Sequence, residues 1–289
     1  MICWRQRLPI LMVFFQIASR TNWDNDDVDP DPNNRRLDLY VVWETDINDG
    51  GTARRRVTNF ADLNYKWSSS IHTNAPDGTV DFSSFLPNGF YGQEAIWIFQ
   101  DLRKAWEYIQ NNTQPTYDPG PVTARWERGE NSLAPCFSGS CFYAGPGGPY
   151  IFIDQNSVQS ADTVVHETGH HYMFNATFWW WWDPSCWDHS MFSQEDINCA
   201  WSEGWADYFP LTVNMDPCYD FDTGPCTGTP DVRNYNLESH GRGDQYPWGD
   251  AVEGRVAGAL YDIFDSTNDG YDAQKQIMDP YNRPVGIHK

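Results

Sequence analysis

The chain has 289 residues, enough to bury a sizeable core in one large domain or in a catalytic domain with a small companion. Its formal net charge of -21 and its 16% aromatic content describe an acidic globular protein. Such a surface repels nucleic acid and anionic membrane, so neither is an expected partner, and a monomer is expected.

At the N-terminus Arg5 and Arg7 precede an apolar run from Leu8 to Ala18, followed by the small Ser19. This predicts a signal peptide over residues 1–19 and a secreted, extracellular protein. The run is too short for a hydrocarbon core of about 30 Å, and no later stretch is longer, so no membrane span is expected. Removing the segment takes Cys3 with it and leaves six of the seven cysteines, an even count that suits an oxidising compartment. Spacing suggests the local pairs Cys136 with Cys141, Cys186 with Cys199 and Cys218 with Cys226, among the 15 connectivities that six cysteines allow. No CxxC supports a cysteine-ligated metal.

Residues 20–88 read as an acidic lead-in, TNWDNDDVDPDPNNRR, followed by a small β-rich module. Its strand-like stretches run from Leu37 to Phe85, with DGG and PDG as turns. His72 in this module is expected on the surface. From Tyr91 the period changes to that of a helix, with Ala95, Ile96, Phe99, Leu102, Trp106 and Ile109 on one side. Asn111 and Asn175 each open an N-x-Thr glycosylation acceptor. Strands return between Val122 and Asp154, in VTARWER, SLAPCFSGSCFYAG and PYIFID.

The next stretch, ADTVVHETGHHYMF from Ala161 to Phe174, contains HETGH. Ser160 can cap a helix here and Asp162 suits its positive end. His166 and His170 then lie one turn apart on one face and can grip a single zinc ion, with Glu167 beside them as general base toward a zinc-bound water. After a segment with five tryptophans (179–182 and 187), expected to cover that helix, comes WSEGWADYF from Trp201 to Phe209. His189 in the same segment is a candidate extra ligand, but as a lone His in a disulfide-tied loop it is expected to be structural. Glu203 and Asp207 are again four apart. One carboxylate can complete the metal's ligands while the other holds the far nitrogen of a ligating histidine. Glu203 is the expected ligand, with Asp207 as second shell and as the alternative ligand. A final helix is predicted over DAVEGRVAGALYDIFDS. Calcium is a further candidate at DSTNDG, Asp265 to Gly270, though Gln276 occupies the twelfth position where a bidentate Glu belongs.

HETGH followed by EGWAD resembles the gluzincins, thermolysin-like zinc peptidases in which a helix carrying Glu-x-x-x-Asp follows the HExxH helix. The metzincin pattern fails, since Met173 and Ala176 stand where its Gly and third His belong. The likeness implies an α+β, zincin-like catalytic domain over residues 89–289: a mixed sheet with an edge strand, the HExxH helix and the Glu helix. It implies a secreted zinc metallopeptidase that cleaves protein or peptide substrates, with one catalytic Zn2+. It also implies that CFYAG is the edge that pairs with substrate, through Tyr143 and Ala144, and that a His or Tyr beyond the Glu helix steadies the oxyanion. His240 is the first choice for that role, with Tyr246 and Arg255 next. The competing expectation is a surface or adhesion protein with a structural zinc or a lost activity. Glu167 speaks against it, because a structural site has no use for a base beside its ligands.

Overall fold

A computed structural model describes residues 39–49, 52–73, 75, 80–82, 90–113, 118–129, 134–136, 139–177, 186, 188–221, 234–237 and 249–264. The chain forms two compact units, one of residues 1–44 and 66–88, the other of residues 45–65 and 89–289. In the first, β1 (Val42–Glu44) pairs antiparallel with β4 (Lys66–Ser68), setting Trp43 opposite Trp67 with their rings 5.2 Å apart. His72 bridges to Leu39 and meets the Phe82 ring edge-on.

The second unit is α+β. Its five-stranded sheet has the order β2 (Asp46–Asp49), β3 (Thr52–Thr58), β5 (Val122–Arg125), β7 (Tyr150–Phe152) and β6 (Cys141–Tyr143). The three central strands run parallel and the two outer ones antiparallel to their neighbours. The β2–β3 hairpin therefore belongs to this sheet. The sequence reading had enclosed it in a module over 20–88, but Val57 and Thr58 are fully buried because β5 pairs alongside them. Alternating runs on either side of residue 65 look alike in sequence. Partner strands far along the chain decide which sheet each one joins.

Parallel neighbours need a crossover, and α1 (Phe90–Asn112) supplies it between β3 and β5. Ala95, Ile98 and Leu102 of α1 are fully buried with Ala124 and Ile151 of the sheet. The helix bearing HETGH, α2 (Ala161–Thr177), packs on β6 and β7, where Phe142 lies 5.3 Å from the Phe174 ring. Ser160 caps α2 by accepting from the Thr163 amide at 2.9 Å. Asp162 does more than face the dipole. It accepts from Asn214 and from the Asp220 amide, each at 2.7 Å, which ties α2 to the end of α3 (Ile197–Asn214) and to β8 (Cys218–Asp220).

Asp196 caps α3 and Met215 ends it in the left-handed conformation. Beyond it, β8 pairs antiparallel with β9 (Asn234–Asn236) in a short ladder. A final helix, α4 (Glu253–Phe264), packs along α3. Met191, Leu211, Tyr219, Tyr235, Leu237, Ala257 and Tyr261 make the second core beneath α3 and α4. Among the described residues no helix is long and apolar enough to cross a membrane.

Two expected disulfides are present, Cys136–Cys141 and Cys186–Cys199. Cys218 is also disulfide-bonded, and its expected partner Cys226 lies outside the described residues. Asn175 sits within α2 and its amide donates to the Pro119 carbonyl while also meeting His171 Nε2, so it is packed rather than offered as a glycan acceptor. Residues 1–19, the five tryptophans and the candidate calcium loop lie outside the described residues.

Candidate metal centre

Two helices meet closely because glycine stands at the contact. A Cβ on Gly169 of α2 would lie 3.2 Å from the Phe209 ring and 3.3 Å from that of Trp205, both on α3. With that clearance α2 and α3 pack face to face, and the polar side chains at their contact converge. His166 Nε2 and His170 Nε2 are 3.1 Å apart, and Glu203 Oε2 lies 3.4 Å from the first and 2.9 Å from the second. Ligand atoms held at about 2.0–2.1 Å in a tetrahedron stand roughly 3.3 Å from each other, so this trio has the dimensions of a zinc site. His166, Glu167 and His170 likewise gather their ligand atoms within 4.8 Å.

Asp207, expected as second shell, lies beside His166. Its Oδ1 is 2.9 Å from His166 Nδ1, which leaves Nε2 to face the centre. Tyr219 of β8 covers the same imidazole, ring edge to ring face at 6.1 Å.

Charge explains why a cation suits this place. Glu167, Glu203, Asp207 and, from α4, Glu253 are all buried, and carboxyls in so small a volume repel one another when ionised: burial and the nearby Asp207 push Glu253 up to about 8. Burial pushes the Glu167 carboxyl up, against the pull of His166 and His170. Glu203 goes the other way: burial opposes its charge, but His170 and His166 outweigh it and hold its pKa well below the ordinary value. Burial also opposes a charge on His166, yet the hydrogen bonds with Asp207 and Glu203 raise its pKa well above the usual one. Two buried carboxyls pushed in opposite directions suit two tasks, one a permanent anion and one a group that takes and returns a proton.

Two further residues reach the centre: His189, expected to be structural rather than a ligand, and Glu253, which nothing in the sequence placed here. His189 Nε2 lies 3.7 Å from Glu203 Oε2, and His189 Nδ1 lies 2.8 Å from Glu253 Oε2. Burial opposes a charge on His189, but the bond to Glu253 prevails and raises its pKa to about 9. Glu253 reaches this position because Gly204 lets α4 lie against α3: a Cβ there would be 2.6 Å from the Glu253 carbonyl oxygen. The one sequence signal was His189 following Cys186 by three residues, inside the loop that the disulfide to Cys199 closes.

The remaining expected residues fall as follows. Tyr143 ends β6, at the edge of the sheet, with Ala144 directly after it, and the Tyr143 ring packs on Tyr150 at 5.0 Å. His240 and Tyr246 lie outside the described residues. Arg255 is fully buried within α4.

Compared with known protein families, residues 103–284 match the one described as the mycolysin C-terminal domain, more than half of the chain. No curated protein matches it. The matched stretch contains all of His166, Glu167, His170, His189, Glu203, Asp207 and Glu253.

Proposed function

The chain belongs to the mycolysin C-terminal domain family, a domain of zinc metallopeptidases, and from that premise we propose that it is a secreted, zinc-dependent endopeptidase with a zincin-like catalytic unit. One observation carries the reading: two helix histidines and Glu203 bring three ligand atoms within 3.4 Å of each other, with buried Glu167 beside them. Zinc bound there would supply a Lewis acid that activates water and polarises the scissile carbonyl.

The chain's own residues do the rest. Asp207 holds His166 in the tautomer that offers Nε2. Glu167 takes a proton from the attacking water and passes it to the leaving amine, a role suited to a carboxyl raised by burial. At the sheet edge, Tyr143 and Ala144 would pair their backbone with an extended peptide, adding a strand to β6. Disulfide-bonded cysteines fit an exported protein.

A second reading is a structural zinc in a protein without peptidase activity. What favours it is His189, whose approach to Glu203 could close the fourth position. Glu167→Gln separates the two. It keeps every ligand, so zinc content and melting temperature should match wild type while casein hydrolysis falls by several orders of magnitude. Hydrolysis at the wild-type rate in a zinc-loaded Glu167→Gln sample would refute the proposed mechanism.

A further inference from the structure

Three imidazoles, not two, address the same carboxylate oxygen. His189 Nε2 stands 3.7 Å from Glu203 Oε2, where His166 Nε2 stands at 3.4 Å and His170 Nε2 at 2.9 Å. With the 3.1 Å between the two helix histidines, these are four edges of one polyhedron. They bracket the roughly 3.3 Å edge of a tetrahedral zinc site. The far ring nitrogens repeat the pattern as well. His166 Nδ1 meets the buried Asp207 at 2.9 Å, and His189 Nδ1 meets the buried Glu253 at 2.8 Å. A carboxylate on one nitrogen is what orients an imidazole to ligate through the other.

We propose that His189 is a fourth protein ligand of this centre, held in place by Glu253 and displaced when substrate binds. The proposal rests on the reading that His166, His170 and Glu203 hold a metal ion. It also accounts for how a centre with four protein ligands can still turn over, because His189 is mounted differently from the other three. Those stand on α2 and α3 with side chains 10–13% exposed, whereas His189 lies outside any helix and is 31% exposed. It can leave at the least cost in packing. The Cys186–Cys199 bond anchors its segment to the first turn of α3 and returns it to the same place. Glu253, fixed by the close α3–α4 contact at Gly204, gives the returning ring one orientation. Departure of His189 would leave a position at the centre for the water that Glu167 deprotonates.

The experiment uses the full chain and the substitutions His189→Ala and His189→Gln, the second keeping most of the side chain in case the first fails to fold. Metal is stripped and zinc titrated back against a competing chelator dye, and acetohydroxamate is then bound to the zinc-loaded forms. A lost ligand should weaken zinc by more than the roughly hundredfold that loss of an outer-shell partner costs at most. The same change should tighten acetohydroxamate by about tenfold, since no protein ligand then has to be displaced. A residue that only hydrogen-bonds to bound substrate would leave zinc affinity alone and weaken the hydroxamate. Unchanged zinc affinity, or hydroxamate binding that is not tightened, therefore overturns the proposal. Failure of the wild type itself to take up zinc would instead overturn the metal-centre reading beneath it.

Discussion

Gly204→Ala should destabilise the protein and loosen its metal centre, against the ordinary rule that alanine improves a helix. An added Cβ would sit 2.6 Å from the Glu253 carbonyl oxygen, 2.7 Å from Val256 Cβ and 2.9 Å from Val256 Cγ1. Backbone and a β-branched side chain cannot swing aside. To restore an ordinary contact, α3 and α4 would have to part by roughly 0.8 Å. Overpacking of this kind costs about 1–3 kcal/mol. Replacing a helical glycine returns about 1 kcal/mol through the unfolded state and helix propensity. The net loss is then up to about 2 kcal/mol, a fall in melting temperature of up to roughly 8 °C for a domain of this size. The displaced group is the backbone of Glu253, so the 2.8 Å contact with His189 should lengthen and zinc affinity should fall with it. Differential scanning calorimetry of the two proteins, paired with zinc competition, measures both. A Gly204→Ala protein that melts above the wild-type temperature and binds zinc as tightly as wild type would refute the close-approach reasoning.

Acid stability should depend on His171, whose pKa is lowered to about 4 by burial against the usual 6.5. As pH falls below about 6.5 the unfolded chain takes up a proton that the folded one refuses until about 4. Stability therefore drops through that window, by up to ~3 kcal/mol. His171→Leu should flatten the urea midpoint between pH 6.5 and 4.5; an unchanged slope would show that other groups dominate. Asp207→Asn should weaken zinc about tenfold to a hundredfold without abolishing binding, because the ligand set survives while the orientation of His166 is lost. Chelator competition decides it, and complete loss of zinc there, with Glu203→Ala still loaded, would exchange the roles of the two carboxylates.

The sequence makes the two helices of the candidate centre legible because their information is local. Helical spacing puts His166 beside His170 and Glu203 beside Asp207, and Ser160 marks where α2 begins. The edge position of β6 was also expected, but from the gluzincin resemblance and not from any local pattern. Sheet membership was not legible. The β2–β3 hairpin joins β5 across an intervening helix, and nothing within residues 46–58 records that partner. The ladder of β8 and β9 escaped for another reason, since three-residue strands are too short to display a period. His189 and Glu253 are separated by 64 positions and come together only because Gly204 lets two helices touch. A glycine inside EGWAD reads as a weak helix former until its neighbour is known.

Metal-dependent hydrolysis by this centre is tested most directly on one purified sample. Zinc stoichiometry is measured, the metal is removed with 1,10-phenanthroline, and cleavage of a casein-type substrate is followed before removal, after it and on adding zinc back. The geometry of His166, His170 and Glu203 predicts about one zinc per chain, with cleavage lost on stripping and restored by zinc. A protein that carries no stoichiometric metal, or that cleaves equally well without it, would contradict the account.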